Sequence, residues 1–293
     1  MKLLVNADDF GLTRSGTDTI LQCLDDGLLN GVSLVPNGAD FDYAVDALKK
    51  RRGVSLGIHL NLVEGRPVSP AEEVPWLIGE SGCFRHGFGG LWRALSLAGK
   101  MKQEEMRRQV GLEIRAQIEK CRPAARDCPF PRLDSHMYVH MIPAVFELVC
   151  ECLASYDIGY VRIPHERLAS APAAARLLTI NGVKRTLLHM LSIPARKKLD
   201  SRAILYCRRF AGILYSGKMD RLELSAMLNR FSGQPGVMEV IFHPGGATPA
   251  EARSADIRFA NFYLSPARSR EALALRSLKS YIVPFTAEEG GWN

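Results

Sequence analysis

Apolar positions along the chain fall into short runs that alternate with longer amphipathic stretches. Leu3–Ala7 is a compact apolar run that predicts a strand, and the stretch 15–26 then spaces Ile20, Leu21 and Leu24 as a helix does. Val32–Val35 predicts a second strand, followed by a helix over 41–50, and GVSLGIHLNL at 53–62 alternates in the manner of a third strand. Residues 63–100 are rich in Gly and Pro and predict an irregular insertion, after which 102–120 is strongly amphipathic. RLDSHMYVH at 132–140 reads as a strand entering a loop, and Pro143 opens a helix to Leu153. GYVRIP at 159–164 is a strand stopped by proline, and 168–209 reads as a basic, helical segment. FAGILYSG at 210–217 and VMEVIFHPG at 237–245 read as late strands flanking a helix at 221–231, and a last helix covers 267–280.

Strand–helix alternation over the whole length implies parallel strands covered by helices. Six or seven strands in one chain favour a single α/β domain over residues 1–293, built as a closed or nearly closed TIM-like (β/α) barrel. A doubly wound open sheet is the alternative, but it wants a glycine-rich phosphate turn after the first strand. ADDFGLT stands there instead, and it is acidic.

Composition adds little to the fold but narrows the setting. Hydrophobic residues make up 47% of the 293 and charged ones 24%, as in a soluble globular protein. No apolar run approaches the ~18 residues of a membrane span, and MKLLVNADDFG reads as a strand rather than a signal peptide. The 7 cysteines are scattered, with no CxxC pair, which is the usage of reduced thiols in a cytoplasmic protein. The net charge of +7 is concentrated between Lys184 and Arg209, where eight bases face only Asp200. That stretch has no interleaved aromatics and no nucleic-acid motif, so nucleic acid is not an expected partner. A solvated helical face is the simpler reading, and contact with a membrane surface or an anionic glycan is the other.

Polar residues gather where strands end. Asp8 and Asp9 close the first strand, His59 lies late in the third, and Asp134, His136 and His140 follow the fourth. Arg162 ends the fifth and His243 the last. In a parallel barrel these ends share one rim, so residues distant in sequence converge. Each has an ordinary structural use alone: aspartates before glycine form turns, and a lone histidine in a strand is usually a satisfied core residue. Asp134, His136, Tyr138 and His140 are expected to alternate onto one strand face. One carboxylate with two imidazoles makes a divalent-metal site with open positions. A second carboxylate can then serve as general base towards water, and an opposing imidazole can protonate a leaving group. Together they describe metal-assisted hydrolysis of an amide or ester.

VNADDFGLT, GIHLNLVEGRPV, DSHMYVHMIP, YVRIP and EVIFHPGG, in that order, resemble the YdjC-like carbohydrate deacetylase family, which includes a chitooligosaccharide deacetylase and a hopanoid-associated protein. The resemblance runs from residue 3 to about 280 and implies a distorted TIM-like barrel related to the polysaccharide deacetylases. It also implies one divalent ion (Mg, Zn, Mn or Co) and removal of N-acetyl groups from an N-acetylhexosamine-containing carbohydrate or glycolipid. By resemblance, Asp9, His59 and His136 are the metal ligands, Asp8 the general base and His243 the general acid. Arg162, with Asn61, Tyr138 and His140, is assigned to substrate. Many relatives carry a histidine where Tyr138 stands here, which implies altered metal affinity or specificity. Which of Asp8 and Asp9 binds metal is left open by spacing alone.

Two other readings compete with the deacetylase. A non-catalytic sugar-binding or regulatory protein has no use for an intact acid–base pair. A metal-dependent sugar isomerase usually requires several carboxylate ligands and a lysine, and the motif strands supply imidazoles with no lysine. The sequence leaves the oligomeric state open, a homodimer included.

Overall fold

β1 (Lys2–Phe10) is apolar enough to be buried along nearly its whole length, and it takes an interior place in the sheet. The computed structural model describes residues 2–126, 131–168, 176–217, 219, 221–231, 233–254 and 257–282. Around β1 lie β2 (Gly31–Leu34), β3 (Ser55–Leu60), β4 (Arg132–Ser135), β5 (Tyr160–Val161), β6 (Arg209–Ala211) and β7 (Val237–Phe242), in the order β5-β4-β3-β2-β1-β7-β6. Every pairing is parallel. Single parallel bridges, Tyr160 to Leu205 and Glu166 to Phe210, tie the β5 side to the β6 side, so the sheet curls back on itself.

The crossovers carry α1 (Arg14–Asp25), α2 (Phe41–Leu48), α3 (Phe88–Leu97), α4 (Lys100–Arg126) and α5 (Pro143–Leu153). After β5 come α6 (Ile180–Asp200) and α7 (Arg221–Phe231), and after β7 come α8 (Pro249–Ser254), α9 (Ala260–Tyr263) and α10 (Ala267–Leu275). Local chemistry sets several starts: the Thr13 and Thr179 hydroxyls accept from the Gly16 and Gly182 amides, each capping a first turn, and Pro143 opens α5.

Alternation along the strands sorts the interior into two environments. Leu3, Val5 and Ala7 join the large apolar core shared with the helices, whereas Leu4 packs with Tyr160, Cys207 and Val237 inside the curl. Above that plug the inward positions turn polar. Arg132, fully buried, donates from Nε to Ser55 Oγ (2.8 Å) and from Nη2 to Asn6 Oδ1 (2.7 Å), and its Nη1 lies 3.4 Å from Glu239. Room for it comes from glycine: a Cβ on Gly31 would stand 2.8 Å from Asn6 Oδ1 and 3.1 Å from Arg132 Nη2.

The segment expected to be an irregular insertion at 63–100 holds a 3-10 turn (Ala71–Glu73), a bridge between Ile78 and Phe84, and α3. A polar stripe on α4 pins its first part. Gln117 exchanges two bonds with the Asn61 backbone, Glu113 accepts from the Val68 and Ser69 amides, and Gln109 accepts from Trp76. The late strand expected at 210–217 is only β6, and the final helix gives way to a 3-10 turn at Arg276–Tyr281. Six cysteines are buried and free, while Cys128 lies outside the described residues. Among the described residues no helix is long and apolar enough to cross a membrane.

Breaking a buried ion network leaves uncompensated charge behind. Arg132→Met is therefore expected to lower unfolding free energy by about 3–5 kcal/mol in urea titrations. A change below ~1 kcal/mol would contradict the view that this layer holds the strands together.

Candidate metal centre

Neighbouring side chains on a strand normally leave opposite faces, yet Asp8 and Asp9 both line one cleft. The cause is a bulge. Ala7 pairs with Val32 and Phe10 with Leu34, so β1 spends one residue more than β2, and Asp9 adopts a left-handed φ of 66°. The bulge, rather than the following turn at Gly11, brings both carboxylates to the same side.

Register supplies the next partner. His59 on β3 sits beside Asp134 on β4, and its Nδ1 lies 2.5 Å from Asp134 Oδ1, which leaves Nε2 directed at Asp9 Oδ1, 3.7 Å away. His136 follows the end of β4 and shows the mirror arrangement. Its Nδ1 is 3.0 Å from Asp9 Oδ1, and its Nε2 is 2.9 Å from Glu64 Oε2 and 3.3 Å from the Tyr263 hydroxyl. Each imidazole thus has one nitrogen on a buried outer carboxylate and the other facing Asp9, the support that metal-binding histidines normally have. Ligand atoms of Asp9, His59 and His136 all lie within 4.8 Å of one another, so this trio could hold a metal ion. Asp8, His59 and Asp134 are also close, but the Arg162 guanidinium lies on both of those carboxylates at 2.8 and 3.0 Å. There both carboxylates are bonded to one guanidinium, whereas Arg268 holds only Oδ2 of Asp9 and leaves Oδ1 facing both imidazoles, so we favour the Asp9 trio.

Without a metal, the histidines keep protons. Burial works against the His59 cation, but the charges of Asp134 and Asp8 raise it to about 10. His136 likewise rises to about 9 against the cost of burial, through Asp9 and Glu64. Asp9 is held well below the usual carboxylate range despite burial, because Arg268 donates to its Oδ2 at 2.8 Å and His136 lies on the other oxygen.

Asp8 is clamped differently. Arg162 donates to its two oxygens at 2.8 and 2.9 Å, and Asn6 donates to Oδ1 at 2.8 Å. Oδ2, with one protein donor, retains a lone pair for another proton. Across the cleft, the His243 amide donates to Glu271 Oε2 (2.7 Å) and its Nδ1 lies 3.4 Å from the same oxygen. Burial works to raise the Glu271 carboxyl, yet the bonds from His243 and Gly217 hold it below its ordinary value.

Four expected substrate residues are placed otherwise than by the strand pattern. Asn61 is buried and builds the loop after β3, donating to Asn37 Oδ1 and the Glu64 carbonyl and accepting from the Val63 and Glu64 amides. Arg162 is fully buried and directs its donors at Asp8, Asp134 and Glu239, within the strand layer beneath the cleft lining. The alternation expected from Asp134 to His140 stops at Ser135, since Met137 and Tyr138 have φ of 52° and 58° in a 3-10 turn. His140 is consequently turned inward. Its Nε2 donates to the Arg162 carbonyl and its Nδ1 accepts from Ser135, and burial lowers it to about 4, a neutral structural imidazole. Tyr138 does line the cleft, with its ring edge-on to Phe210.

The cavity, ≈ 280 Å³, gathers Asp8, Asp9, His59, His136, Tyr138 and His243. Sequence reasoning missed Glu64, Lys184, Tyr263, Arg268 and Glu271. Glu64 lies within the HLNLVEGRP stretch and had a local signal; the others arrive from helices whose patterns do not mark them. A broader groove of ≈ 800 Å³ beside α1 and α10 shares only Tyr263 and Arg268 with this chemistry.

If Asp9, His59 and His136 are ligands, outer carboxylates should matter too. Glu64→Gln should weaken cobalt or zinc affinity by about 10- to 100-fold in calorimetric titrations, and Asp9→Asn should weaken it further. Unchanged affinity in both variants would remove the trio as a metal site.

Comparison with known proteins fits this geometry. A model of the YdjC-like protein family matches residues 2–280. A zebrafish (Danio rerio) protein named carbohydrate deacetylase is 34% identical over 166 residues, 57% of this chain and 50% of that protein. A Brevibacillus brevis carbohydrate deacetylase is 35% identical over 56% of this chain and 60% of its own. A Proteus mirabilis chitooligosaccharide deacetylase is 31% identical over 51% and 54%. The chain thus aligns with about half the length of these curated relatives. An Enterococcus faecalis crystal structure, described provisionally as a cellobiose-phosphate cleavage protein, covers 97% of this chain and 96% of its own with a TM-score of 0.67 at 20% identity, a likeness of fold. With the family pattern matched from the first strand to the last helical turn, the chain belongs to the YdjC-like family.

Proposed function

We propose that the protein is a metal-dependent N-deacetylase acting on an N-acetylhexosamine-containing carbohydrate or glycolipid, with a fold related to the polysaccharide deacetylase barrels. The observation that carries this reading is the joining, in one cleft, of a cluster of three candidate ligands, an Asp8 clamped by Arg162 outside that cluster, and a His243 facing Glu271. The names of the curated relatives support it.

Asp9, His59 and His136 would hold a divalent ion, which would supply Lewis acidity to the reaction. The chain's own groups do the rest. Arg162 fixes Asp8 so that Oδ2 can take a proton from the attacking water. His243, whose backbone amide donates to Glu271 and whose Nδ1 faces that carboxylate at 3.4 Å, gives a proton to the departing amine, and Glu271 stabilises the imidazolium before transfer. Phe259, Phe262 and Tyr263 wall the cleft with apolar surface.

Lys184 lines the same cleft, so the lack of a lysine no longer counts against an isomerase. The ligand set still does, with two imidazoles and one carboxylate where isomerisation wants several carboxylates. A non-catalytic sugar binder remains the contrast for the activity test. We place the protein in the cytoplasm on its sequence alone.

The lipid-linked substrate has support of its own. Packing buries Leu188 and Leu199 of the basic segment, whereas along the same helix Ile180 is 87% exposed, Val183 66%, Met190 62% and Ile193 50%. These follow helical spacing along α6, and Ile180 also lines the cleft. Exposed apolar surface with Lys197 one turn beyond Ile193 suits a peripheral contact with an anionic bilayer.

Two measurements test these readings. Acetate release from N-acetylated sugars and glycolipids should require a divalent metal. It should fall at least about 100-fold in Asp8→Asn and in His243→Ala, with metal affinity retained. Near-normal turnover in both variants would leave only a binding role. For the membrane contact, co-sedimentation with anionic vesicles should weaken with added salt and in Val183→Ser/Met190→Ser; absence of binding at low salt would sink it.

A further inference from the structure

Among the polar side chains of the cleft, Lys184 alone arrives from α6 without a function in the scheme above. It sits one helical turn after Asn181, whose amide is directed at the Leu214 and Ser216 carbonyls and so holds the helix against the cleft wall. The Lys184 ammonium lies 4.8 Å from the centre of the Tyr138 ring, a cation–π brace on the side chain whose left-handed backbone turns it into the cleft. Desolvation pushes the amine down to about 8 while Asp8 and Asp9 act to raise it, so it lies within reach of their charge.

A counter-ion role for those aspartates is already filled. Asp8 has Arg162 and Asp9 has Arg268, each at 2.8 Å, and among the described residues Lys184 has neither a hydrogen bond nor an ion pair with either acid. A half-buried ammonium carries three donors and no acceptor, and holding it in a cleft without a protein acceptor is costly unless something else accepts. The group that enters this cleft under the deacetylase reading is rich in acceptors: hydroxyl, ring and glycosidic oxygens surround the acetamide.

We propose that Lys184, braced on the Tyr138 ring, is a substrate-binding residue that donates to an oxygen of the sugar carrying the acetamido group. The proposal rests on the deacetylase reading and adds α6 to the binding surface. It also gives Tyr138 a role: the phenyl face accommodates the ammonium, whereas a protonated imidazole at 138 would repel it.

The test is steady-state kinetics on the metal-loaded protein with the best N-acetylated sugar found. A charge-assisted hydrogen bond corresponds to a loss of about 10- to 100-fold. Lys184→Met should lower kcat/KM by that factor, mainly through KM, with Tm and metal affinity unchanged. Lys184→Arg should recover most of the loss. Tyr138→Phe, which keeps the ring, should stay near wild type, and Tyr138→Leu should lose part of what Lys184→Met loses, non-additively with it. In the slow Asp8→Asn background, calorimetric binding of fully N-acetylated chitobiose should weaken by the same factor when Lys184→Met is added. An unchanged KM, or a loss that tracks metal affinity or Tm, overturns the proposal. An active wild type with an indifferent Lys184→Met removes the lysine alone, whereas a wild type that releases no acetate from any substrate overturns both readings.

Discussion

The buried guanidinium of Arg162 is the group on which strand closure and cleft chemistry both depend. It leaves the end of β5 and donates to Glu239 on β7 at 2.9 Å, to Asp8 on β1 at 2.8 and 2.9 Å, and to Asp134 on β4 at 3.0 Å. A guanidinium stays charged under any ordinary condition, so its burial is tolerable only with carboxylates fixed around it. Those carboxylates come from three other strands. The condition that lets the arginine be buried is therefore the condition that curls the sheet, and β5 needs only two residues of regular pairing to stay in place. Asp134 passes the constraint on to His59, so the strand network also orients one side of the candidate metal site.

Above this layer the balance shifts towards negative charge. Asp9 and Glu64 are buried with the two histidines, and both imidazoles hold protons well above their ordinary range. A cluster that raises its histidines in this way is one that stabilises positive charge, and a divalent ion provides it in more compact form. The outer support is assembled from late in the chain. Glu64 accepts from the Phe259 amide and the Tyr263 hydroxyl, and Arg268 is held 4.4 and 4.2 Å from the Phe262 and Tyr263 ring centres while it donates to Asp9. The short helices after β7 thus complete a site whose candidate ligands come from β1, β3 and the end of β4.

What the sequence made legible follows from periodicity and from the rule that parallel strands place their ends together. Asp8, Asp9, His59, His136 and His243 meet in one cleft, as strand-end positions should. What it obscured lies where local geometry departs from period two. The bulge at Asp8–Asp9 and the left-handed pair Met137–Tyr138 each break alternation, and no side-chain pattern announces either. That is why His140 reads as a cleft residue and is a core one. Arg162 fails for a different reason: an arginine at a strand end looks exposed until three distant acids are known to surround it. Lys184, Arg268 and Glu271 belong to helices whose apolar spacing says only which side is buried, not that a polar residue on that side reaches a site built by other elements.

α6 shows how one helix can serve two environments. Its packed side, through Leu188 and Leu199, joins the main core or is buried against it, and its N-terminal turns present Asn181 and Lys184 to the cleft. The remaining side leaves Ile180, Val183, Met190 and Ile193 in contact with solvent. Hydrophobic surface of that extent opposes solubility without aiding the fold, since burial in the core is what apolar residues contribute to stability. Ile180 is common to this surface and to the cleft lining, which is the link on which the proposed glycolipid reading draws. A substrate with a sugar head and an apolar tail would meet Lys184 with the one and this stripe with the other, which is the arrangement that a single amphipathic helix at a cleft edge is able to provide.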